Sequence, residues 1–280
     1  QKTGLAVNLG TGLGPYQNCM KLIMNDVGDL DIEYLAPGVG TVKEEWNDFG
    51  GPSGWELQQI IRAGGAKDEL VANFGPAYGL WHYDQTRSWQ QWNTVNPSQM
   101  VTVDLNADGT DELVAAFPGY GLYTYDSANG WQLINTVIPE VMIPYRNGIA
   151  CDYGAAYGLW IWDPIGGWQQ VNTVKPDKMI AADIDEDGQD ELVAGFTGYG
   201  LYYWDDPGVW TLLNVVIPDR MVRHSHGLIC DYGALYGLWF RNQAGGWQQW
   251  NTVSPSQMVP VDLNGDGTEE LVAAYPGYGL

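Results

Sequence analysis

The segments AAYGLWIWD (residues 155–163) and TGYGLYYWD (residues 197–205) are two versions of one phrase. Its central glycine recurs at Gly79, Gly121, Gly158, Gly200, Gly237 and Gly279, with spacings that alternate 42, 37, 42, 37, 42. A methionine follows each internal glycine by 21 residues, at Met100, Met142, Met179, Met221 and Met258, and a proline always stands three residues before it. A divergent copy precedes these, with Gly40 and Ile61 in the corresponding places. Counting 21 onward from Gly279 and wrapping to the N-terminus reaches Met20. A fixed period of this length marks a repeat architecture of seven copies.

Within one copy, apolar runs such as MVTVDLN, DELVAAF, GLYTYD and WQLINTV are separated by Gly, Pro, Asp or Asn and show no helical period. Four short strands per repeat describe a propeller blade. The expected fold is therefore all-β, a seven-bladed β-propeller of four-stranded antiparallel blades forming one domain over residues 1–280. Its blades run approximately over 21–61, 62–100, 101–142, 143–179, 180–221 and 222–258, and 259–280 plus 1–20 close the ring as one composite blade. The competing arrangement is an open solenoid, or a filament in which residues 1–20 complete a neighbour's blade.

The long repeats contain DLNADGTDEL from Asp104, DIDEDGQDEL from Asp183 and DLNGDGTEEL from Asp262. Calcium takes six to eight oxygen ligands, and alternating acidic or amide side chains followed by a glycine turn can direct several of them at one ion. The expected ligands are Asp104, Asn106, Asp108 and Glu112; Asp183, Asp185, Asp187 and Glu191; and Asp262, Asn264, Asp266 and Glu270. Thr110, Gln189 and Thr268 each add a backbone carbonyl. Three structural Ca2+ ions are the expected cofactors. The divergent segment NDVGDLDIE keeps Asn25, Asp29 and Glu33 but has Leu30 in place of the glycine, so no fourth ion is assigned.

The loop pattern, the ELVA strand after it and the seven-fold count resemble the FG-GAP or VCBS-type repeats of integrin α-subunit propellers and of some propeller lectins. That resemblance implies a calcium-stabilised recognition module acting outside the cell on glycans or proteins.

Lys and Arg total 12 against 34 Asp and Glu, a formal charge of -22, which excludes nucleic acid and anionic lipid as partners. No apolar run is long enough to span a bilayer, and the N-terminus lacks the basic and apolar regions of a signal peptide, so a secreted protein would be in its mature form. Cys151 and Cys230 occupy equivalent places two repeats apart and read as buried apolar residues. His224 and His226 form an HSH pair that reads as incidental rather than as a metal site.

Tryptophans ten residues after the repeat glycine, at Trp89, Trp131, Trp168, Trp210 and Trp247, read as packing between blades. A weak ligand surface is placed on the opposite rim from the acidic loops: Tyr78, Trp81, Tyr120, Tyr157, Trp160, Tyr199, Tyr236, Trp239 and Tyr278. No nucleophile elbow or paired acid and base stands out, so the chain is read as non-enzymatic. The expected function is a calcium-stabilised extracellular binding module, most of all a multivalent lectin or adhesion module. A structural subunit of an extracellular, self-assembling array is the alternative, and a polysaccharide-degrading enzyme the third.

Overall fold

The computed structural model describes the backbone of residues 3–9, 16–26, 29–36, 40–48, 51–56, 59–63, 69–84, 88–185, 187–205, 208–264 and 268–277. Side chains are described from residue 70 onward within those ranges, other than 84 and 88. The chain is all-β apart from one turn of helix, Gly233–Tyr236. Its strands form a five-stranded sheet over 3–56, then four-stranded sheets over 59–93, 99–135, 141–172, 178–214 and 220–251, and a two-stranded sheet of Gln257–Val261 with Glu270–Ala274. Every sheet is an antiparallel meander in sequence order, and the repeated four-stranded sheets are those of a β-propeller-like protein.

The packing divides into two compact units, residues 1–104 with 108–138, and residues 105–107 with 139–280. In the second unit the first strands Val141–Tyr145, Lys178–Ala182, Arg220–His224 and Gln257–Val261 are successive neighbours. In the first, Gln59–Ala63 and Gln99–Val103 are neighbours in the same way.

The second strand of the 178–214 sheet, Glu191–Phe196, shows why these sheets stack. Its side chains alternate between faces. Leu192, Ala194 and Phe196 pack on Tyr145, Ala150, Leu159 and Val171 of the preceding sheet, whereas Val193 packs with Leu228, Cys230 and Tyr232 of the following one. A strand buried on both faces reads as a continuous apolar run, which is the ELVAGF of the sequence. In the first unit Val71 and Leu80 pack on Met100, Leu113, Ala115 and Phe117 in the same manner. Cys230 and Cys151 are buried and unbridged, and desolvation raises both thiol pKa values, that of Cys230 to about 12.

Two of the repeat tryptophans bind as well as pack. The Trp210 indole lies edge-on to Phe196 and donates from Nε1 to the Val171 carbonyl of the preceding sheet at 2.8 Å. Trp131 repeats this in the first unit, against Phe117 and toward the Trp92 carbonyl at 3.4 Å. Trp210→Phe is expected to keep most of the packing and lose the hydrogen bond, lowering stability by about 1 to 2 kcal/mol in urea unfolding.

The fourth strands end alike. In each NTV or NVV segment the asparagine side chain accepts the N–H two residues on, as Asn172 does from Val174 at 2.9 Å and Asn214 from Val216 at 3.0 Å. This Asx turn stops the strand and sends the chain to the next sheet.

The N-terminal segment pairs within its own sheet. The Thr3–Leu9 strand pairs with Tyr16–Asp26, and Tyr16–Asp26 pairs in turn with Asp29–Ala36, inside the five-stranded sheet. Closure of a ring by 259–280 together with 1–20 is not shown among the described residues. The divergent acidic segment belongs to this sheet as a hairpin in which Asp26 faces Asp29, so it is not a nine-residue loop.

Candidate cation site

The acidic loops connect the first and second strands of the long sheets. Residues 183–190 join Lys178–Ala182 to Glu191–Phe196, where the short sheets have two-residue turns such as Arg146–Asn147. Because each sheet is a meander, the connection between second and third strands, which carries the repeat tyrosine, lies at the other end of the sheet.

The middle loop is built around its own carboxylates. Asp183 Oδ2 accepts the Gly188 N–H at 3.1 Å, Asp185 Oδ1 that of Asp187 at 3.2 Å, and Asp187 Oδ1 that of Gln189 at 2.7 Å. These bonds curl the backbone around one centre, and a positive φ at Gly188 allows the turn. One oxygen from each of Asp183, Asp185 and Asp187 lies within 4.8 Å of the others, a spread that oxygens sharing one calcium ion can have.

Glu191 closes the loop from the sheet side. It is fully buried, and its Oε2 accepts the Ile184 N–H at 2.8 Å. Its Oε1 is also buried and has no hydrogen-bond partner. Desolvation pushes its pKa up to about 7; the Ile184 N–H opposes the rise, while Asp185, Asp187 and Asp183 add to it. A buried carboxylate oxygen without a donor is costly, and a cation among the neighbouring carboxylates would satisfy it.

The other loops repeat parts of this arrangement. Asp104 accepts the N–H groups of Asp108 at 3.1 Å and Gly109 at 2.8 Å, and Asp108 accepts that of Thr110 at 2.8 Å. Glu112 opens the following strand as Glu191 does, and Asn106 is exposed. In the third loop Glu270 accepts the Leu263 N–H at 2.9 Å and the Asn264 amide at 2.9 Å, with Asp262 and Thr268 at the loop's two ends. Asp266 lies outside the described residues.

Three contacts on the middle loop were not read from sequence. Ile184 is a buried anchor in the apolar cluster shared with the following sheet, and its carbonyl accepts Arg241 Nη1 from that sheet at 2.8 Å. Arg241 is itself buried, and desolvation lowers its pKa. The acidic residue before the glutamate is a clasp: the Asp190 carbonyl accepts Arg146 Nε at 3.0 Å, and its carboxylate meets Arg223 Nη1 at 2.9 Å. Glu269 plays the same part in the third loop, where its Oε2 accepts the Ser225 N–H at 2.7 Å and its own N–H donates to Ser225 Oγ at 3.2 Å. The available signal was an acid at this place in all three loops, Asp111, Asp190 and Glu269, beyond what the ion's ligand set requires.

The HSH segment is occupied by local bonding. His224 Nδ1 accepts the His226 N–H at 3.1 Å, and its ring packs edge-on against Phe240 and Trp250.

At the opposite end, Tyr120, Tyr157, Tyr199 and Tyr236 are each more than half exposed, and Tyr78 is exposed also; Tyr278 lies outside the described residues. The tryptophans of the short sheets serve these turns. Trp81, Trp160 and Trp239 each donate Nε1 to the carbonyl of Tyr78, Tyr157 or Tyr236, at 2.7, 2.8 and 2.7 Å. Gln91, Gln170 and Gln249 donate to the same three carbonyls. Two donors converging on one carbonyl fix the turn, and the indole N–H is then no longer available to a ligand.

No family model matches this chain, and no curated protein matches it. Solved structures do. One is the extracellular domain of a putative hybrid two component system from B. thetaiotaomicron, 13% identical with a TM-score of 0.47 over 85% of this chain; this chain spans 36% of that one. A second is a catalytically inactive virginiamycin B lyase from Staphylococcus aureus with quinupristin, 10% identical with a TM-score of 0.48, covering 92% of this chain and 93% of that one. A third is a streptogramin B lyase, 10% identical with a TM-score of 0.43, covering 92% and 90%.

These likenesses concern architecture. The functional expectation of a calcium-stabilised carbohydrate-binding or adhesion module is corrected: the similar structures include lyases, and neither calcium nor carbohydrate binding is shown by them. Among the described residues no helix is long and apolar enough to cross a membrane.

Proposed function

We propose that this chain is a metal-ion-binding repeat protein whose acidic loops each hold a calcium ion in a structural role. In the middle loop the ligands are Asp183, Asp185, Asp187, the Gln189 carbonyl and Glu191. The observation that carries the reading is the buried, partnerless Oε1 of Glu191 beside three converging carboxylates. The chemistry of the donors, hard oxygens only, favours calcium over thiophilic or imidazole-seeking metals.

A structural role follows from what the loop touches. Through Ile184, Arg241, Asp190, Arg146 and Arg223 it is tied to the sheets on both sides, so an ion that rigidifies the loop rigidifies both junctions. An extracellular location is part of the proposal. From the loop pattern and repeat spacing alone we also propose FG-GAP or VCBS-type repeats and a seven-blade count.

Calcium at about 100 times its dissociation constant is expected to stabilise by about 2.7 kcal/mol per site, raising the melting temperature by about 5 to 10 °C over chelator. Asp185→Asn is expected to remove most of that increment for the middle site. Equal melting temperatures in calcium and in chelator, with no ion retained in native mass spectra, would overturn the reading.

A further inference from the structure

Away from the acidic loops, the second unit holds a cavity of about 290 Å³ lined by Asn214, Val216, Tyr232, Tyr236, Trp239 and Trp247. It lies where the 178–214 sheet hands over to the 220–251 sheet, beside the turn that carries Tyr236. Four of its six walls are aromatic. Tyr232 and Trp247 meet at 6.1 Å with their rings 60° apart, so two differently oriented ring planes border one space.

The polar ends of these walls are largely consumed. Asn214 donates its amide to Tyr232 Oη at 3.0 Å and accepts the Val216 N–H on Oδ1, while Trp239 Nε1 is held by the Tyr236 carbonyl. What the cavity presents is ring surface, which is a poor match for a hydroxyl-rich ligand. The negative face of an aromatic ring attracts a cation, and several rings around one space form the recognition site that quaternary ammonium groups take.

Charge points the same way. No Lys or Arg lines the cavity, and the chain carries a formal charge of -22. Asp219, which is exposed, holds a carboxylate against Gly233, the residue next to Tyr232, so closely that a Cβ there would collide with it. An organic cation is drawn toward such a site, and a carboxylate or phosphate is repelled.

We propose that this cavity binds an organic cation of the quaternary ammonium class, its methyl groups against the faces of Tyr232, Tyr236, Trp239 and Trp247. The site is independent of the calcium reading, since it shares no residue with the acidic loops.

The test is a calorimetric titration of the whole chain, in calcium buffer, with choline and with its neutral carbon analogue 3,3-dimethylbutan-1-ol. Saturable one-site binding of choline, with the neutral alcohol about tenfold or more weaker, is the expected result. Tyr236→Ala, at an exposed turn position, and Trp239→Ala are each expected to weaken choline about tenfold, with circular dichroism confirming the fold. Tyr236→Ala alone decides if Trp239→Ala does not fold. Equal binding of choline and the alcohol would make the cavity an apolar site and overturn the proposal. So would the absence of choline binding, or choline binding unchanged in the folded variants, which would place the cation on the acidic surface instead.

Discussion

Gly237→Ala is expected to lower stability by about 3 kcal/mol or more and the melting temperature by about 6 to 12 °C. Gly237 has φ +71°, where an L side chain is strained, and it closes the Gly233–Tyr236 turn by donating to the Gly233 carbonyl at 2.7 Å. A Cβ at this position would also run into the backbone carbonyl of Asn251 on the adjacent strand. The two costs are separable. Gly237→Asn relieves part of the φ penalty, since asparagine tolerates the left-handed region, but it keeps the collision. It should therefore rescue little; thermal unfolding that shows Asn close to wild type would mean that the close approach is not the constraint. Gly79 and Gly158 stand at φ +72° and +68° against the carbonyls of Asn93 and Asn172, so the same substitutions there should behave alike.

The second large effect is a pH dependence that calcium cancels. Without the ion, the folded pKa of Glu191, about 7, lies above the unfolded value of 4.5. The folded state then binds more protons than the unfolded state between those values, so stability is gained as pH falls through that window and lost as pH rises through about 7. The amplitude from this group is on the order of 3 kcal/mol, since each pKa unit is worth about 1.4 kcal/mol. In calcium the ion takes the proton's place and requires the charged form, so stability should instead fall as the pH drops below neutral. Melting curves from pH 5 to 8, in chelator and in calcium, should therefore slope in opposite directions. Parallel slopes would show that Glu191 does not face the ion. Glu191→Gln should flatten the chelator curve, because the neutral amide removes the titration.

The sequence carried the repeat, the four strands per copy and the places of the turns, because each depends on local chemistry. The ELVA runs read as strands and are strands, and Glu191–Phe196 is buried on both faces. The glycine that marked the repeat has a positive φ at Gly79, Gly121, Gly158, Gly200 and Gly237, which is the reason for its recurrence. The acidic loops were legible for the same reason: their carboxylates fold the loop by bonding to N–H groups two to five residues away.

Reading stopped short where a residue's role depends on what its side chain meets in the folded sheets. Trp81, Trp160 and Trp239 were read as candidate ligand contacts, and the structure adds that their indole N–H groups secure the tyrosine turns. Arg241 carries no local signal of its place, and it is buried against a loop 57 residues earlier. The composite blade expected from the spacing is not shown by the strand pairings. Spacing measures how often a unit recurs, whereas pairing is settled by which strand edges meet, and the N-terminal strand meets its immediate neighbour.

What this sequence determined by itself is therefore the unit: four strands, their turns and an acidic loop on alternate copies, all set by bonds within a few residues. Which edges pair, which side chains clasp adjoining sheets and where a cavity opens between them were decided by tertiary structure, because each joins groups whose separation along the chain carries no local signal.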